Sequence, residues 1–197
     1  MSGIAGLVLA AGESSRMGRD KALLKYRGKT FLEAIVANLQ QAGVPRIIVV
    51  LGHHAVEIQR QIDLSGVEWV VNPAYRLGQT TSLQAGLRIV AGAGVDGVML
   101  CLADHPAAGA EVMRGLIEQF KETNGPVVIP VYQGTRGHPV MIGCTLFPEL
   151  MALGVDDGAN SVIRKHQATT RWLEVQDPGI TFDVDNPEDY RRLNDRF

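Results

Sequence analysis

Cysteine is scarce in this sequence, since only Cys101 and Cys144 occur among 197 residues. The two lie far apart, in no spacing typical of metal ligands, and Cys101 falls within an apolar run. We therefore expect a buried thiol in a reducing compartment and no disulfide.

The sequence also lacks an excess of positive charge and a long apolar run. Its net charge of -2 provides no basic surface for nucleic acid or an anionic membrane, so any phosphate must be bound by a few local cations. No window approaches the ~18 uninterrupted apolar residues of a membrane span, and no basic segment followed by a long apolar stretch opens the chain. These absences predict a cytoplasmic protein that binds neither nucleic acid nor membrane.

What is present is an alternation of apolar strands and amphipathic helices. The content of 46% hydrophobic and 20% charged residues, without repeat or linker, predicts a single domain over residues 1–197. Apolar runs predict strands over residues 3–10, 46–52, 67–72, 96–104, 126–132, 139–143, 171–176 and 179–185. Helical spacing predicts helices over residues 30–43, 54–62, 80–94, 109–125, 145–153, 158–167 and 187–197. This order predicts an α/β sandwich with a mainly parallel sheet and a small antiparallel insertion near residues 126–143.

The segment LVLAAGESSRMGRDK, which follows the first predicted strand, has the composition of an anion-binding loop. Small Ala10, Ala11 and Gly12 allow backbone N–H groups to face a phosphate, and Arg16 and Lys21 add two cations. The segment matches neither the P-loop nor the dinucleotide-binding pattern. A connecting loop with solvated cations is the alternative, but the coincidence of these features favours an anion site.

Several segments together resemble the MobA-like nucleotidyltransferases. LAAGESSRMGRDKALL is similar to the signature loop of that family, NPAYRLGQTTSLQAGL to its second motif, LADHP to its D-x-P turn and FDVDNPEDY to its C-terminal motif. RGHPVMIG and GANSVIRKH resemble the branch that includes CTP:molybdenum-cofactor cytidylyltransferases. Within the second motif, Gln79 replaces the Met that is usual in the family. The resemblance spans nearly the whole chain. It implies a three-layer α/β/α sandwich of the Rossmann-like nucleotide-diphospho-sugar transferase type.

The resemblance also implies a nucleotide site at the carboxyl ends of the strands. It assigns catalytic roles to Arg16, Lys21 and Asp104. It implies nucleotide contacts for Leu9, Ala10, Ala11, Gly12, Ser14, Arg16, Lys21, Asn72, Gly78 and Ser82. The guanylyl branch usually has Gly-Gly in place of Ala10 and Ala11, so this pair favours a pyrimidine nucleotide.

Carboxylates near this site predict a Mg²⁺ ion, which would neutralise charge on the triphosphate. Asp104 ends an apolar strand and is well placed for a metal, with capping of the next segment as its alternative role. The resemblance implies a second metal ligand at Asp183 or Asp185. We expect only one of these two to face the site if their stretch is extended, and Asp185 has the alternative role of capping the last helix.

A second set of residues is predicted to bind the acceptor. Arg136, Gly137 and His138 lie in a turn between two predicted strands, and the resemblance places this turn on the acceptor side of the cleft. A lone histidine is more often structural, which is the alternative for His138. His53 and His54 match no metal pattern and are predicted to lie in a solvated loop.

Together with these residues, the resemblance implies Mg²⁺-dependent transfer of CMP from CTP to a phosphate-bearing acceptor, molybdopterin, with release of pyrophosphate. A phosphate acceptor is already ionised, so no covalent protein nucleophile is required. A molybdenum hydroxylase or its chaperone is a further candidate partner. The alternatives are GTP as donor, a sugar-phosphate or alcohol-phosphate as acceptor, an oxidoreductase, or a non-catalytic cofactor carrier.

Overall fold

A computed structural model of the chain describes residues 3–91, 94–123 and 125–197. The strands are β1 Ile4–Ala10, β2 Lys25–Tyr26, β3 Lys29–Thr30, β4 Arg46–Leu51, β5 Glu68–Val71, β6 Gly97–Leu102, β7 Val127–Tyr132, β8 Thr135–Arg136, β9 Val140–Gly143 and β10 Arg171–Glu174. The helices are α1 Phe31–Gln41, α2 Ala55–Gln61, α3 Gln79–Ala91, α4 Ala110–Thr123, α5 Phe147–Met151, α6 Ala159–Lys165 and α7 Pro187–Arg196. None of the helices described is long and apolar enough to cross a membrane.

Eight strands form one sheet in the order β10-β7-β9-β6-β1-β4-β5, with β8 paired to β7, and β2 and β3 form a separate hairpin. β1 lies between β4 and β6 and is parallel to both, so Val8 is opposite Val49 and Cys101. β9 is antiparallel to β6 and β7, and β8 is antiparallel to β7. The mainly parallel sheet and its antiparallel insertion are thus confirmed.

Helices cover both faces of the sheet because its strands are apolar on both sides. Alternate residues of β1 face opposite layers: Val8 packs in a cluster with Leu32 of α1 and Met113 of α4. Leu7 packs on the other face in a cluster with Leu87 of α3. The three-layer α/β/α sandwich is confirmed, and it brings the carboxyl ends of β1, β4 and β6 to one edge of the sheet.

One predicted strand is wrong. Residues 179–185 do not pair with the sheet; a 3₁₀ turn spans Pro178–Thr181 and a coil continues to residue 185. The turn forms because the Asp177 side chain accepts a hydrogen bond from the Gly179 amide, and Pro178 has the fixed φ that suits a first helical position. The other predicted elements are present. Residues 92, 93 and 124, at the ends of two predicted helices, lie outside the described residues.

Two smaller expectations also have clear outcomes. Cys101 and Cys144 are both free, and Cys101 is buried, as predicted. Asp185 does not cap the last helix: the side chain of Asn186 accepts hydrogen bonds from the amides of Glu188 and Asp189. Asp185 is therefore free to take part in other contacts.

Candidate active site

The loop after β1 is shaped by its own hydrogen bonds and by two residues with positive φ. Ser14 has φ 50° and Gly18 has φ 65°. The Ser14 hydroxyl accepts a hydrogen bond from the Lys21 amide at 3.0 Å, which closes the loop. A Cβ on Gly12 would meet nothing within 4 Å. The packing of the protein therefore does not require this glycine, and the open space beside it belongs to the cavity described below.

Lys21 is positioned by a short 3₁₀ turn, Lys21–Leu23, that begins directly after the loop. Buried Asp20 caps this turn, and its Oδ1 accepts a hydrogen bond from the Ala22 amide at 2.8 Å. The side chain of Ala22, in the middle of the turn, is buried and anchors the turn to the core. The Lys21 ammonium is consequently directed back towards the carboxyl ends of the strands.

The Lys21 ammonium lies between two carboxylates from distant parts of the chain. Its Nζ is 2.7 Å from Asp185 Oδ1 and 3.4 Å from Asp104 Oδ2, and the guanidinium of Arg16 is 2.9 Å from Asp185 Oδ2. The hydrogen bond from Lys21, assisted by the charge of Arg16, holds the pKa of Asp185 below its ordinary value. Two cations and two carboxylates predicted from the sequence thus form one ionic cluster.

Only one of Asp183 and Asp185 lines the cavity, as expected, but the expectation rested on wrong geometry. Residues two apart in an extended chain share a face, and here Phe182 and Val184 point into the core while both aspartates point away from it. Both carboxylates are near enough to His105 to offset part of the lowering of its pKa by burial. Only Asp185 lines the cavity, and Asp183 is exposed outside it.

A cavity of about 310 Å³ lies above the loop and the ionic cluster. Nine of the ten residues predicted to bind the nucleotide line it: Leu9, Ala10, Ala11, Gly12, Ser14, Arg16, Lys21, Gly78 and Ser82. Asn72 does not. Its Nδ2 donates to the hydroxyls of Thr81 and Ser82, and its Oδ1 accepts from the Ala74 amide, so its role in this structure is to hold the start of α3.

A second cavity of about 460 Å³ adjoins the first, and Gln79 and Leu102 line both. The predicted acceptor residues Arg136, Gly137 and His138 line this second cavity. Its floor is apolar, from the sheet residues Leu100, Ile129 and Val140, and α6 adds Asn160 and Arg164. The cavity therefore combines an apolar floor with two guanidinium groups.

The acceptor turn is held in place by close packing. A Cβ on Gly137 would overlap the carbonyl oxygen of Ile180, which accepts a hydrogen bond from the His138 amide at 2.9 Å. The Arg136 guanidinium stacks on Trp172, 4.5 Å from the ring centre. The 3₁₀ turn that replaces the predicted strand thus packs behind Gly137 and His138 and holds them in place.

Two histidines meet where the second cavity approaches Asp104. The rings of His105 and His138 are 4.8 Å apart. Burial, with a contribution from the neighbouring His105, lowers the pKa of His138 to about 4. Burial also lowers the pKa of His105. At neutral pH His138 is therefore an uncharged imidazole that places no positive charge beside the two arginines.

Comparison with protein families decides the class of the protein. Residues 6–170 match the family model described as the MobA-like NTP transferase domain. The chain belongs to the MobA-like NTP transferase family. The match includes the loop after β1, Lys21, Asp104 and the acceptor turn, whereas Asp183 and Asp185 lie beyond its end.

Relatives of this MobA-like chain have several names. The molybdenum cofactor cytidylyltransferase of Escherichia coli (strain K12) is 26% identical, with 100% of this chain and 98% of that protein covered. Nicotine blue oxidoreductase of Paenarthrobacter nicotinovorans is 28% identical over 96% of both proteins. A probable molybdenum cofactor guanylyltransferase of Opitutus terrae is 34% identical over 64% of this chain and 60% of its own length. The family indicates nucleotidyl transfer without specifying the nucleotide.

Solved structures agree with the family. Rv0371c from Mycobacterium tuberculosis H37Rv superposes with a TM-score of 0.88 at 32% identity, covering 98% of both chains. Another structure, of Rv0371C in complex with manganese, has a TM-score of 0.81 at 30% identity and covers 100% of both chains. CMP:2-keto-3-deoxy-manno-octonic acid synthetase in complex with CTP has a TM-score of 0.77 at 14% identity, which shows a shared fold alone.

The donor atoms of this MobA-like site fit a divalent metal that completes its coordination with substrate. Asp104 Oδ1 is buried and has no hydrogen-bond partner among the described residues. Asp185 supplies a second carboxylate, but no group of three or more His, Cys, Asp or Glu able to hold a metal occurs in the described ranges. Mg²⁺ is commonly bound by one or two carboxylates, phosphate oxygens and waters, which this pair can accommodate.

Sequence reasoning missed several residues of the nucleotide cavity. Asp20, Tyr75 and Leu102 line it, yet none was assigned a role. Asp20 lay inside the signature loop and Tyr75 inside the second motif, so proximity to these motifs was the available signal. No local pattern indicates that Asp20 is buried and bonded to a residue on another strand end.

Proposed function

We propose that this protein transfers CMP from CTP to the terminal phosphate of molybdopterin or a closely similar organophosphate, releasing pyrophosphate. The observation that carries the proposal is the ionic cluster of Arg16, Lys21, Asp104 and Asp185, which lines the first of two adjoining cavities. One cavity has the phosphate-binding loop and the other has two arginines. A phosphoryl donor and an anionic acceptor would meet between them.

The first cavity would hold the triphosphate of the donor. The loop around Gly12 lines this cavity, so its backbone amides would donate to phosphate oxygens, and Arg16 and Lys21 would exchange Asp185 for phosphate oxygens. Ala10 and Ala11 support CTP over GTP, because the guanylyl branch has Gly-Gly there. The likeness to the Escherichia coli cytidylyltransferase over the whole chain supports the same choice.

Asp104 and Asp185 would hold a divalent metal, for which Mg²⁺ is the proposed ion. When bound, the metal supplies charge neutralisation on the triphosphate oxygens. The manganese complex of Rv0371C, a protein of closely similar fold, supports a divalent ion in this group of proteins. Lys21 would then be released from the carboxylates to contact phosphate.

The acceptor phosphate would lie in the second cavity near Arg136 and Arg164. One of its oxygens attacks the α-phosphorus of CTP, a new phosphoanhydride bond forms, and the bond between the α-phosphorus and its bridging oxygen to the β-phosphate breaks. Pyrophosphate leaves with that electron pair. The protein's contribution is alignment and charge compensation, without a covalent intermediate. The apolar floor suits a flat ring system, and uncharged His138 leaves the arginines as the charges that recognise the acceptor.

The deciding experiment measures pyrophosphate release with CTP, GTP, ATP and UTP, each with and without molybdopterin, in MgCl₂. We expect release with CTP only when the acceptor is present. Asp104→Asn should reduce the rate by about 100-fold or more, with an unchanged circular dichroism spectrum. Asp63→Asn, which changes an exposed aspartate remote from the cavities, is the control. Wild-type rates in Asp104→Asn would refute the assigned role of this carboxylate.

An oxidoreductase is a second candidate, because nicotine blue oxidoreductase is similar to this chain along nearly its whole length. The letters G-x-G-x-x-G occur at Gly92, Gly94 and Gly97, but they lead into strand β6. The dinucleotide-binding pattern instead follows a strand and opens a helix, so this match does not support a dinucleotide site. Dye reduction with NADPH or a flavin, in the absence of CTP, would establish this function. Binding of molybdopterin without pyrophosphate release would instead indicate a carrier.

A further inference from the structure

The segment Gly52, His53 and His54, here called the brace, follows β4 and is not accounted for by the proposed chemistry. The sequence predicted a solvated loop, and His53 is indeed exposed. The two rings nevertheless contact each other edge to face, with centres 4.1 Å apart. Each ring also has a hydrogen-bond partner on a different side of the nucleotide cavity.

His54 contacts the wall that contains Lys21. Its Nδ1 lies 3.0 Å from Asp20 Oδ2, and because a carboxylate only accepts, the ring donates this hydrogen bond. The other oxygen of Asp20 accepts from the Ala22 amide and caps the turn that begins at Lys21. A continuous series of bonds therefore runs from His54 through Asp20 to the backbone that directs the Lys21 ammonium.

His53 contacts the opposite wall. Its Nδ1 lies 2.9 Å from the hydroxyl of Tyr75, which lines the nucleotide cavity. The His53 amide donates to the carbonyl oxygen of Ala11 in the loop after β1 at 3.3 Å. A Cβ on Gly52 would overlap that same oxygen and crowd the Cβ of Tyr75. The brace is thus packed closely between the loop after β1 and Tyr75.

We propose that the brace positions both walls of the nucleotide cavity, with His54 fixing Lys21 through Asp20 and His53 fixing Tyr75. Neither histidine lines the nucleotide cavity, so both are positioning residues. The identity of the ligand as a nucleoside triphosphate rests on the proposed function. The hydrogen bonds that define the brace exist in the protein without ligand and can be tested separately.

The chain provides a matched control in His166. Its Nε2 lies 2.7 Å from Glu149 Oε1, and its side chain is 30% exposed, against 34% for His54. It is a histidine–carboxylate pair of the same kind, away from the residues that line the nucleotide cavity. A general loss of stability would affect His166→Leu and His54→Leu alike.

The experiment measures the dissociation constant for CTP in MgCl₂ by calorimetry, together with kcat and KM for pyrophosphate release. We expect His54→Leu to weaken CTP binding by about tenfold, the effect of one hydrogen bond to a charged group. His54→Asn, whose amide can donate to Asp20, should restore binding to within about twofold of wild type. His166→Leu should bind CTP like wild type.

A double-mutant cycle with Lys21→Met tests whether His54 acts through the lysine. If it does, His54→Leu weakens CTP binding much less in the Lys21→Met background than in the wild type. Full additivity would overturn the proposed connection. Equal weakening by His54→Leu and His54→Asn would overturn the role of the hydrogen bond. If His54→Leu does not fold, His53→Phe tests the opposite wall and is likewise expected to weaken CTP binding.

Hydrogen exchange in the ligand-free protein separates this proposal from the proposed function. His54→Leu should accelerate exchange of the backbone amides of residues 21–24, and His166→Leu should not. Unchanged exchange would overturn the brace even if CTP binds well. If His54→Leu accelerates exchange but the wild-type protein binds no nucleoside triphosphate, the brace is supported and the proposed function is refuted.

Discussion

At the scale of single residues, the main feature of this protein is that Lys21 is bonded to the same carboxylates that a metal would use. Lys21 lies between Asp104 and Asp185, and Arg16 shares Asp185. When a metal and a triphosphate bind together, the metal can pair with the carboxylates while the phosphates pair with Lys21 and Arg16. Every charged group of the cluster then keeps a partner of opposite charge. A metal arriving alone would leave the ammonium uncompensated beside it.

Sequence reasoning could identify these cluster residues but not their support. Arg16, Lys21 and Asp104 were predicted because they follow or end apolar strands, and Asp185 was one of two alternatives implied by the family resemblance. The contact between Asp20 and His54 was not predicted, since it joins residues 34 positions apart and follows no local spacing. The role of Asn72 was predicted as nucleotide binding, yet its hydrogen bonds are all internal.

Gly12→Ala tests whether the loop after β1 holds a ligand. A Cβ there meets nothing within 4 Å in the protein, so we expect the free energy of unfolding to change by less than about 0.5 kcal/mol. The added methyl group occupies the space that phosphate oxygens would need, so CTP affinity should fall by about tenfold or more. Urea denaturation and calorimetry measure the two quantities.

Gly3→Ala serves as the control for this variant, because its Cβ also meets open space but lies at the other end of β1. Retention of full CTP affinity in Gly12→Ala would show that the nucleotide is bound elsewhere.

At the scale of elements, hydrophobic periodicity predicted the helices and the buried strands well. It failed at residues 179–185, where alternating burial continues without a partner strand. Phe182 and Val184 are buried against α1 and α7 in a third apolar cluster, with Phe31 and Leu193, and not within the sheet. Alternation of apolar residues reports that one face is buried, and a sequence alone does not say against which element.

The start of α1 provides a prediction with a defined pH dependence. Thr30 and Glu33 form a capping box, in which the Glu33 carboxylate accepts from the Thr30 amide at 2.6 Å. That bond lowers the pKa of Glu33 below its ordinary value of 4.5. A carboxyl group with a lowered pKa in the folded state adds stability above its unfolded pKa, and this contribution is lost as the pH falls through the folded value.

We therefore expect Glu33→Gln to be less stable than wild type at pH 7 and to approach wild-type stability as the pH falls below about 4. Urea denaturation from pH 7 to pH 3 measures the difference. Glu118→Gln, at an exposed position in the middle of α4, is the control for the loss of one charge. A constant difference across this pH range would contradict the assigned role of the ionised carboxylate.

At the scale of the whole molecule, the fold gathers residues from both ends of the chain at one edge of the sheet. The class of fold and the location of the site followed from alternation and from the general position of ligands in parallel sheets. The order of the strands did not, because β9 inserts between β6 and β7 through contacts remote in sequence. The two adjoining cavities were also beyond sequence reasoning, since their volumes depend on how α3, α6 and the 3₁₀ turn pack.

The whole protein should be protected against heat by nucleotide and metal together. At about 100 times the dissociation constant a ligand adds about 2.7 kcal/mol, which corresponds to a rise in Tm of about 5–10 °C for a chain of this size. We expect that rise in Tm with CTP and MgCl₂ combined. The rises in Tm measured with CTP alone and with MgCl₂ alone should add up to less than the combined rise. Differential scanning calorimetry with EDTA as the metal-free arm measures it. Equal protection by CTP in EDTA would argue against partner exchange at Lys21.

Apart from Gln79 and Leu102, which line both, the two cavities are lined by different stretches of the polypeptide. Apart from Asp185, the first is built from residues 9–22, 75–82 and 102–104, while the second takes its arginines and its histidine from residues 136–164. Substitutions in one stretch can therefore change one cavity and leave the other intact, so that the ligands of the two cavities can diverge independently among relatives. We expect a chimaera that exchanges residues 133–166 between two relatives to show the acceptor preference of the relative that supplied those residues.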